Sequence, residues 1–354
     1  MTTPRRANVI GLGLIGGSIA LALRERGWWV AGDDIDPRRA ALAHERGVVD
    51  ATGLAPDVEI TFVAVPVLAL TGQVERALAG TAGVVTDVGS VKSAVCEVCD
   101  DPRFVGGHPM AGSELDGLDG ADPAMFQGAV WVLTPVAHSD DTTFAAVAQV
   151  VASLGAEVVG LSPARHDELV AVVSHVPHLT AATLMGLAAD RSEEHAALLR
   201  LAAGGFRDMT RIASGAPEIW LDICSENRGA ITGALDALIA GLGEIRRVID
   251  GDDRAGLHDR LARARDARAN LPSRITDPSS LVEFRIPIPD RPGAAAEVFT
   301  LAAELGVNIA NFEVVHLAES NRGLAVVLVD ADIAERFRGG LIARSFRPSV
   351  APLS

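Results

Sequence analysis

A glycine-rich turn between a strand and a helix, close to the N-terminus, constrains the fold more than any other feature of the sequence. The apolar run 7–10 leads into Gly11-Leu12-Gly13-Leu14-Ile15-Gly16, and a helical segment and a second strand at 28–32 follow. In this motif the first glycine permits a tight turn, the second lets a pyrophosphate approach the backbone, and the third lets helix and strand pack closely. The unit predicts a Rossmann-type dinucleotide-binding domain.

Two aspartates, Asp33 and Asp34, end the second strand. Asp34 is the preferred acceptor for the adenosine ribose hydroxyls, because Asp36 and Pro37 then open the next helix as its cap and first residue. Asp33 is the competing candidate. A carboxylate at this place repels a 2′-phosphate, which favours NAD over NADP. The predicted cofactor contacts are Gly11, Gly13, Leu14, Ile15, Gly16, Asp34, Val65 and Pro66.

Strand and helix signals continue to alternate up to about residue 160. Further strands are predicted at 58–65, 83–86, 104–105, 129–133 and 156–159. This alternation indicates an α/β fold with a doubly wound, mostly parallel sheet, whose ligands bind beyond the carboxyl ends of the strands. The glycine turn, Ser90 and His108 all fall at such ends, so we expect one crevice to contain all three.

The stretch 106–114, Gly-Gly-His-Pro-Met-Ala-Gly-Ser-Glu, follows a short apolar run. Its glycines permit backbone conformations that a Cβ forbids, and Pro109 fixes a dihedral angle directly after His108. A histidine on a stiff loop at a strand end suits proton chemistry, because its unperturbed pKa is about 6.5. A solvated histidine on a turn is the alternative, and the neighbouring motifs favour the functional interpretation.

After residue 160 the pattern becomes helical and then returns to α/β. Apolar-periodic helices are predicted at 163–189, 193–203, 217–249 and 252–270. Their apolar faces also predict a dimer surface, and hence a homodimer. The predicted organisation is a Rossmann domain (1–160), an all-α substrate and dimerisation domain (161–270), a linker (271–280) and a βαββαβ ferredoxin-like domain (281–354).

Composition excludes several classes of partner. The net charge of −15 and the pI of about 5.0 argue against a nucleic-acid partner. No uninterrupted apolar run reaches the ~18 residues of a membrane helix, so no membrane partner is expected. Only three cysteines are present, which favours a reducing, cytoplasmic compartment. Cys96 and Cys99 form a CxxC that is interpreted as two helix thiols rather than a redox or metal site, and no metal is expected.

Five motifs taken together resemble the prephenate/arogenate dehydrogenase family of tyrosine biosynthesis. They are the glycine turn at 11–18, Asp-Val-Gly-Ser-Val-Lys at 87–92, the histidine stretch at 106–114, Ser-His-Val-Pro-His at 174–178, and Gly-Gly-Phe-Arg-Asp-Met-Thr-Arg at 204–211 with Trp220. The tail resembles an ACT domain through Asp-Arg-Pro-Gly at 290–293 and Gly-Val-Asn-Ile at 306–309.

The resemblance implies an oxidative decarboxylation. A hydride passes from the substrate ring to NAD, the ring carboxylate leaves as CO₂, and the ring becomes aromatic. By motif position, His108 accepts the hydrogen bond of the ring hydroxyl together with Ser90, and Arg211 binds a carboxylate. Further substrate contacts are implied at His175, His178, Ser113, Glu114, Gly204, Gly205, Arg207 and Trp220. Prephenate is the expected substrate, arogenate is the alternative, and L-tyrosine is the expected effector at the tail.

Other interpretations compete with these. Ser90 could cap the following helix, Trp220 could only pack, and the tail could only aid assembly. A β-hydroxyacid dehydrogenase would need a lysine base in the helical domain, whereas the only lysine, Lys92, lies in the first domain. A non-catalytic amino-acid sensor is disfavoured by the joint presence of Ser90, His108 and Arg211. The remaining histidines are interpreted as surface or structural residues: His44, His138, His166, His195, His258 and His316.

Overall fold

The structure, a computed structural model, divides into two units, Met1–Arg254 and Ala255–Ser354. It describes residues 4–113, 115–194, 198–269, 281–289, 291, 293–316 and 322–352. The first unit contains a large α/β sheet and a helical part, and the second contains a smaller antiparallel sheet. The division into four sequence segments stays a prediction.

An eight-stranded sheet forms the centre of the first unit. Its strands are β1 (Arg6–Ile10), β2 (Trp29–Asp33), β3 (Ala51–Thr52), β4 (Ile60–Val63), β5 (Val84–Asp87), β6 (Phe104–Pro109), β7 (Val130–Thr134) and β8 (Glu157–Gly160). They are ordered β3-β2-β1-β4-β5-β6-β7-β8, and every pair is parallel except β6 with β7. The order reverses at β1, the switch point at which Rossmann-type sheets bind ligands. The predicted doubly wound, mostly parallel sheet is confirmed.

Helices cover both faces of this sheet. They are α1 (Leu14–Glu25), α2 (Pro37–Glu45), α3 (Leu70–Gly80), α4 (Ser93–Val98) and α5 (Asp141–Ser153), with short 3₁₀ turns at Val67–Ala69 and Gly117–Gly120. Sheet residues such as Val9, Phe62, Trp131 and Leu133 are therefore fully buried.

Strand β6 is longer than predicted. It passes through His108 and Pro109, so His108 lies in the strand, opposite Val132 of β7, and not on a loop after it. Two glycines make this possible, because the strand passes too close to its neighbours for side chains. A Cβ on Gly107 would lie 2.7 Å from the carbonyl oxygen of Asp87, and one on Gly106 would lie 2.5 Å from Thr134 Oγ1.

The helical part of the first unit is more interrupted than predicted. It contains α6 (Pro163–Val170), a π-helical turn (Ala171–His175), α7 (Val176–Glu194), a 3₁₀ turn (Leu199–Leu201), α8 (Gly204–Thr210), a second 3₁₀ turn (Arg211–Ser214), α9 (Pro217–Glu226) and α10 (Arg228–Asp250). The prediction of a helix at 193–203 is wrong over 198–203, where only the 3₁₀ turn is present. The predicted helix 217–249 is broken at Asn227, whose side chain forms buried hydrogen bonds elsewhere.

One helical stretch, Pro163–Arg191, is long and apolar enough to cross a membrane by length and composition, although the sequence has no uninterrupted apolar run of that size. Its most apolar window has a mean hydropathy of 1.4, and 33% of that window is buried inside the protein. The stretch carries buried His166, Asp167 and His175, which form hydrogen bonds to the rest of the first unit. These hydrogen bonds anchor the stretch to the first unit.

The second unit pairs four strands with helices. Its elements are α11 (Arg254–Ala269), β9 (Leu281–Pro289), α12 (Ala294–Glu304), β10 (Ile309–His316), β11 (Arg322–Asp330), α13 (Ala331–Ala343) and β12 (Ser349–Pro352). The sheet is antiparallel in the order β10-β11-β9-β12, and after α11 the elements follow the predicted order βαββαβ. Its core includes Phe284, Val298, Val327 and Phe337. The predicted linker 271–280 lies outside the described residues, as do Asp290 and Pro292 of the tail motif.

Candidate active site

The glycine turn after β1 has a geometry that requires glycine. Gly11 has φ +90°, and an added Cβ would lie 2.1 Å from the carbonyl oxygen of Ala64. A Cβ on Gly16 would lie 1.9 Å from the Gly11 oxygen, whereas one on Gly13 would meet no atom within 4 Å. Helix α1 starts at this open side without a side-chain cap, so its first N–H groups are available to a pyrophosphate. These residues fit NAD.

The other predicted cofactor contacts surround this turn. Leu14 and Ile15 are partly buried at the start of α1. Val65 follows β4, and its Cγ1 would lie 3.1 Å from a Cβ on Gly11. Pro66 is exposed beside it. The turn, the start of α1 and the end of β4 thus share one edge of the sheet.

Asp34 ties the glycine turn to the end of β2. Its Oδ2 accepts a hydrogen bond from the Leu12 backbone N–H at 2.8 Å, and its Oδ1 lies 3.2 Å from Nη1 of Arg39. The Asp34 side chain is only 2% exposed, while that of Arg39 is 45% exposed. The competing carboxylate of Asp33 is paired with Arg76 at 2.6 Å.

His108 begins a chain of buried polar contacts. Its Nδ1 lies 2.8 Å from Nε2 of His166, and Nδ1 of His166 lies 2.8 Å from Oδ1 of Asp167. Asp167 also accepts hydrogen bonds from the backbone N–H groups of Lys92 and Ser93, each at 2.8 Å. Asp167 therefore caps α4 from another helix. Nε2 of His108 has no hydrogen-bond partner among the described residues.

The surroundings favour a neutral imidazole beside a carboxylate. Burial, and after it the neighbouring His166 and Lys92, hold the pKa of His108 well below its ordinary value. Burial raises the pKa of Asp167, but hydrogen bonds from His166, Ser93 and Lys92 outweigh it, and the pKa is lowered overall. The His108 ring is therefore neutral at neutral pH, and an unprotonated ring nitrogen is available to accept a hydrogen bond.

A buried ion pair holds the Ser90 loop beside the His108 strand. The ammonium of Lys92 is paired with the carboxylate of Asp87, and both side chains are fully buried. Asp87 also accepts hydrogen bonds from the backbone N–H groups of Gly89 at 2.8 Å and Gly107 at 3.2 Å. Ser90 lies in this loop, partly buried, and does not cap α4. The only lysine is thus enclosed in an ion pair, which argues further against a lysine base.

A second group of aromatic and polar side chains continues from Asp167. Nδ2 of Asn227 lies 2.9 Å from the Asp167 carbonyl oxygen and 3.2 Å from Nδ1 of His175. The rings of His175 and Trp220 form a T-shaped pair with 6.1 Å between their centroids, and His178 stacks on Trp220 at 3.6 Å. Burial lowers the pKa of His175 to about 4 and also lowers that of His178. Contacts therefore run without a gap from His108 to His178.

The remaining predicted substrate contacts lie at the surface. Arg211 is exposed at the start of the second 3₁₀ turn, and its guanidinium has no ion-pair or hydrogen-bond partner among the described residues. Arg207 is exposed on α8 and donates from Nε to the Ala202 carbonyl oxygen. Gly204 and Gly205, at the start of α8, are exposed. Ser113 is exposed and accepts from the backbone N–H of Leu115, and Glu114 lies outside the described residues.

Three polar residues of the site were missed in the sequence. His166, interpreted as surface or structural, is fully buried against His108, and Asp167 and Asn227 were not singled out. The sequence carried a signal for two of them. On a helix, His166 and Asp167 lie one turn before the apolar residues Val170 and Ala171, so two polar side chains fall on the face that is otherwise apolar and buried. Within the described part of the chain, no group of three or more His, Cys, Asp or Glu residues has an arrangement suited to a metal ion.

Comparison with known proteins agrees with this geometry. Residues 19–160 match the family described as prephenate dehydrogenase, nucleotide-binding domain, and residues 162–263 match prephenate dehydrogenase, dimerization domain. The chain is similar to a prephenate dehydrogenase of Bacillus subtilis, with 33% identity over 344 residues that cover 91% of each chain.

Two solved structures are also similar. A prephenate dehydrogenase from A. aeolicus, in complex with hydroxyphenyl propionate and NAD+, has a TM-score of 0.71 and 28% identity, covering 75% of this chain and 98% of its own. An arogenate dehydrogenase from Synechocystis has a TM-score of 0.65 and 31% identity, covering 74% and 98%. With its nucleotide-binding edge and its helical part, this chain belongs to the prephenate dehydrogenase family and is an NAD-dependent oxidoreductase.

Proposed function

We propose that this chain converts prephenate to 4-hydroxyphenylpyruvate by oxidative decarboxylation, with His108 as the proton acceptor. The observation that carries the proposal is the His108–His166–Asp167 chain, which leaves Nε2 of His108 without a partner at the edge of the sheet that holds the glycine turn. The names of the similar proteins support prephenate or arogenate as the substrate.

The chemistry requires little of the protein beyond positioning and one base. Aromatisation of the ring drives the reaction, and NAD, when bound, supplies the hydride acceptor. His108 takes the proton of the ring hydroxyl as the hydride departs and returns it to the phenolate oxygen once CO₂ has left, and Ser90 shares that hydroxyl. A positioned base of this kind contributes typically ~10²–10⁴-fold to the rate.

Arginine side chains hold the substrate in this proposal. Arg211 is exposed and unpaired within the described residues, so its guanidinium is free to bind a carboxylate. A charge-assisted hydrogen bond of this type contributes about 1.5–3 kcal/mol. Arg207 adds local positive charge to a chain whose net charge is −15. The remaining proposed contacts are His175, His178, Trp220, Gly204, Gly205, Ser113 and Glu114.

Arogenate is the second candidate substrate, because an arogenate dehydrogenase is among the similar structures. The two substrates differ in the side chain, which carries a keto group in one and an ammonium in the other. The test is NADH formation with prephenate, with arogenate and with a 3-hydroxy acid. Turnover of prephenate at the highest kcat/KM supports the proposal, and turnover of the 3-hydroxy acid alone would contradict it.

The chain is further proposed to act as a cytoplasmic homodimer. Residues 162–263 match a dimerization domain, and exposed apolar side chains lie on α9 and α10, among them Ile219, Leu221, Ile239 and Leu242. Burial of such a surface by a second copy is expected. Light scattering should give a dimer for the native chain and a monomer for Leu242→Glu, whereas a native monomer would contradict the proposal.

The second unit is proposed to be an ACT-like module that binds L-tyrosine. Its βαββαβ order and its sheet order β10-β11-β9-β12 support a ferredoxin-like arrangement. The test is a tyrosine titration of the full chain against a 1–275 truncation that retains turnover. Loss of inhibition on truncation supports the module as the effector site, and equal inhibition of both proteins would remove it from regulation.

A further inference from the structure

We propose that Asp167 organises two histidines of the site into opposite tautomers. In this arrangement His108 presents a bare Nε2 that accepts a proton, and His175 presents an Nε2–H that donates to an anionic group of the substrate. His166, Asp167 and Asn227 act as positioning residues, since none of them needs to touch substrate. The identity of the substrate rests on the proposed function. The assignment of the two tautomers does not depend on that function.

The tautomer of His108 follows from the series of buried hydrogen bonds that ends at this residue. The carboxylate of Asp167 accepts two backbone N–H groups and has no proton to give, so Nδ1 of His166 must be the donor to it. We take His166 as neutral, so that its one N–H is the one given to Asp167 and its Nε2 is an acceptor. The proton between His166 and His108 therefore belongs to Nδ1 of His108. Its Nε2 is then bare.

The tautomer of His175 follows from its contact with the side chain of Asn227. Its amide nitrogen is assigned by the network, since only an N–H can bond to the Asp167 carbonyl oxygen. The second N–H of this amide points at Nδ1 of His175, which must accept. The proton of His175 is therefore on Nε2.

Nε2 of His175 supports a ligand at this place. It is buried and has no hydrogen-bond partner among the described residues. A buried N–H without an acceptor is unusual in a folded protein and calls for an oxygen atom from outside the chain. A carboxylate or carbonyl oxygen of the substrate supplies one, because Trp220, which His175 faces, belongs to the predicted substrate wall.

The tautomers are measurable in the native chain without turnover. In protein labelled with ¹⁵N-histidine, kept on the alkaline side of neutrality, Nδ1 of His108 and Nε2 of His175 should be the protonated nitrogens. Signals are assigned through His108→Gln and His175→Gln. A proton on Nε2 of His108, or on Nδ1 of His175, would overturn the proposal.

Binding of a probe tests the donor role. Hydroxyphenyl propionate carries both a ring hydroxyl and a carboxylate, and its addition with NAD should shift the Nε2–H signal of His175. Saturating binding that leaves this signal unmoved would overturn the donor half of the proposal. A wild-type enzyme that turns over neither prephenate nor arogenate would defeat the proposed function, and both tautomers could still be read.

Substitution of His166 tests the positioning role. His166→Leu removes the acceptor at Nδ1 of His108, so the proton is expected to move to Nε2 and kcat to fall by ~10²–10⁴-fold. His166→Gln, whose amide oxygen reaches the same place, should restore the tautomer and much of kcat. His258→Leu is the matched control, because His258 also precedes and contacts an aspartate but is 80% exposed. A folded, NAD-binding His166→Leu enzyme with native kcat would overturn the role.

Discussion

The buried His175 makes the stability of the protein depend on acidity by an amount that follows from its surroundings. Its side chain is 1% exposed, and burial lowers its pKa from 6.5 to about 4, with the Asp167 carboxylate opposing this and His166 adding to it. The difference of about 2.5 units corresponds to about 3 kcal/mol of unfolding free energy, at about 1.36 kcal/mol for each unit. Between pH 6.5 and about 4 the His175 side chain is therefore neutral in the folded protein, whereas in the unfolded chain it binds a proton.

The sign of the effect follows from that proton. Because the unfolded state binds more protons between pH 6.5 and about 4, the contribution of His175 is complete above pH 6.5 and is lost as the pH falls towards 4. Other groups titrate in the same range, so the native chain alone does not isolate His175. A variant that cannot titrate at this position does.

The measurement compares urea unfolding of the native chain and of His175→Gln over this pH range, at one protein concentration. The gap between the two unfolding free energies should shift by about 3 kcal/mol between pH 6.5 and 4. His258→Gln serves as the control, since His258 is exposed and its variant should follow the native curve. A gap that stays constant across the range would refute a neutral, desolvated His175.

Four further results are expected. His108→Asn should lower kcat by at least ~10²-fold with near-normal NAD affinity, and a near-native kcat would remove His108 from the proton step. Because the pKa of His108 is held well below 6.5, kcat/KM of the native enzyme should stay level as the pH falls through 6.5, and a decline centred at pH 6.5 would contradict this. Arg211→Ala should raise the KM for prephenate by ~10–100-fold with little change in kcat. Asp34→Ser should raise the NADP-to-NAD ratio of kcat/KM by about tenfold or more, because Arg39 loses its partner and can meet a 2′-phosphate; an unchanged ratio would contradict the role of Asp34.

The parts of the fold that depend on local sequence were predictable. The glycine spacing at 11–16 and the alternation of apolar runs indicated the α/β sheet, and the cap Asp36 is present as predicted. The extension of β6 through His108 was not predictable. It depends on how closely β6 passes Asp87 and Thr134, which is set by strands distant in the sequence.

The candidate site shows the same limit. The motifs identified His108, His175, His178 and Trp220, which the structure joins through continuous contacts. They did not identify the residues that connect them, such as His166 and Asn227. Those residues are distant in sequence from the partners they bind, and no local periodicity reports which polar side chain will meet them. Only a helix stripe interrupted by two polar residues gave a hint.

The enclosed ammonium of Lys92 has a consequence for handling this protein. As the only lysine of the sequence, fully buried against Asp87, it is shielded from amine-acylating dyes, cross-linkers and coupling resins while the fold is intact. Acylation of this side chain then reports an opening event beside the His108 strand rather than surface chemistry. Mass spectrometry of the proteolytic peptide that contains Lys92, followed over the time of acylation, therefore measures how often this region opens, separately from acylation of the N-terminal amine.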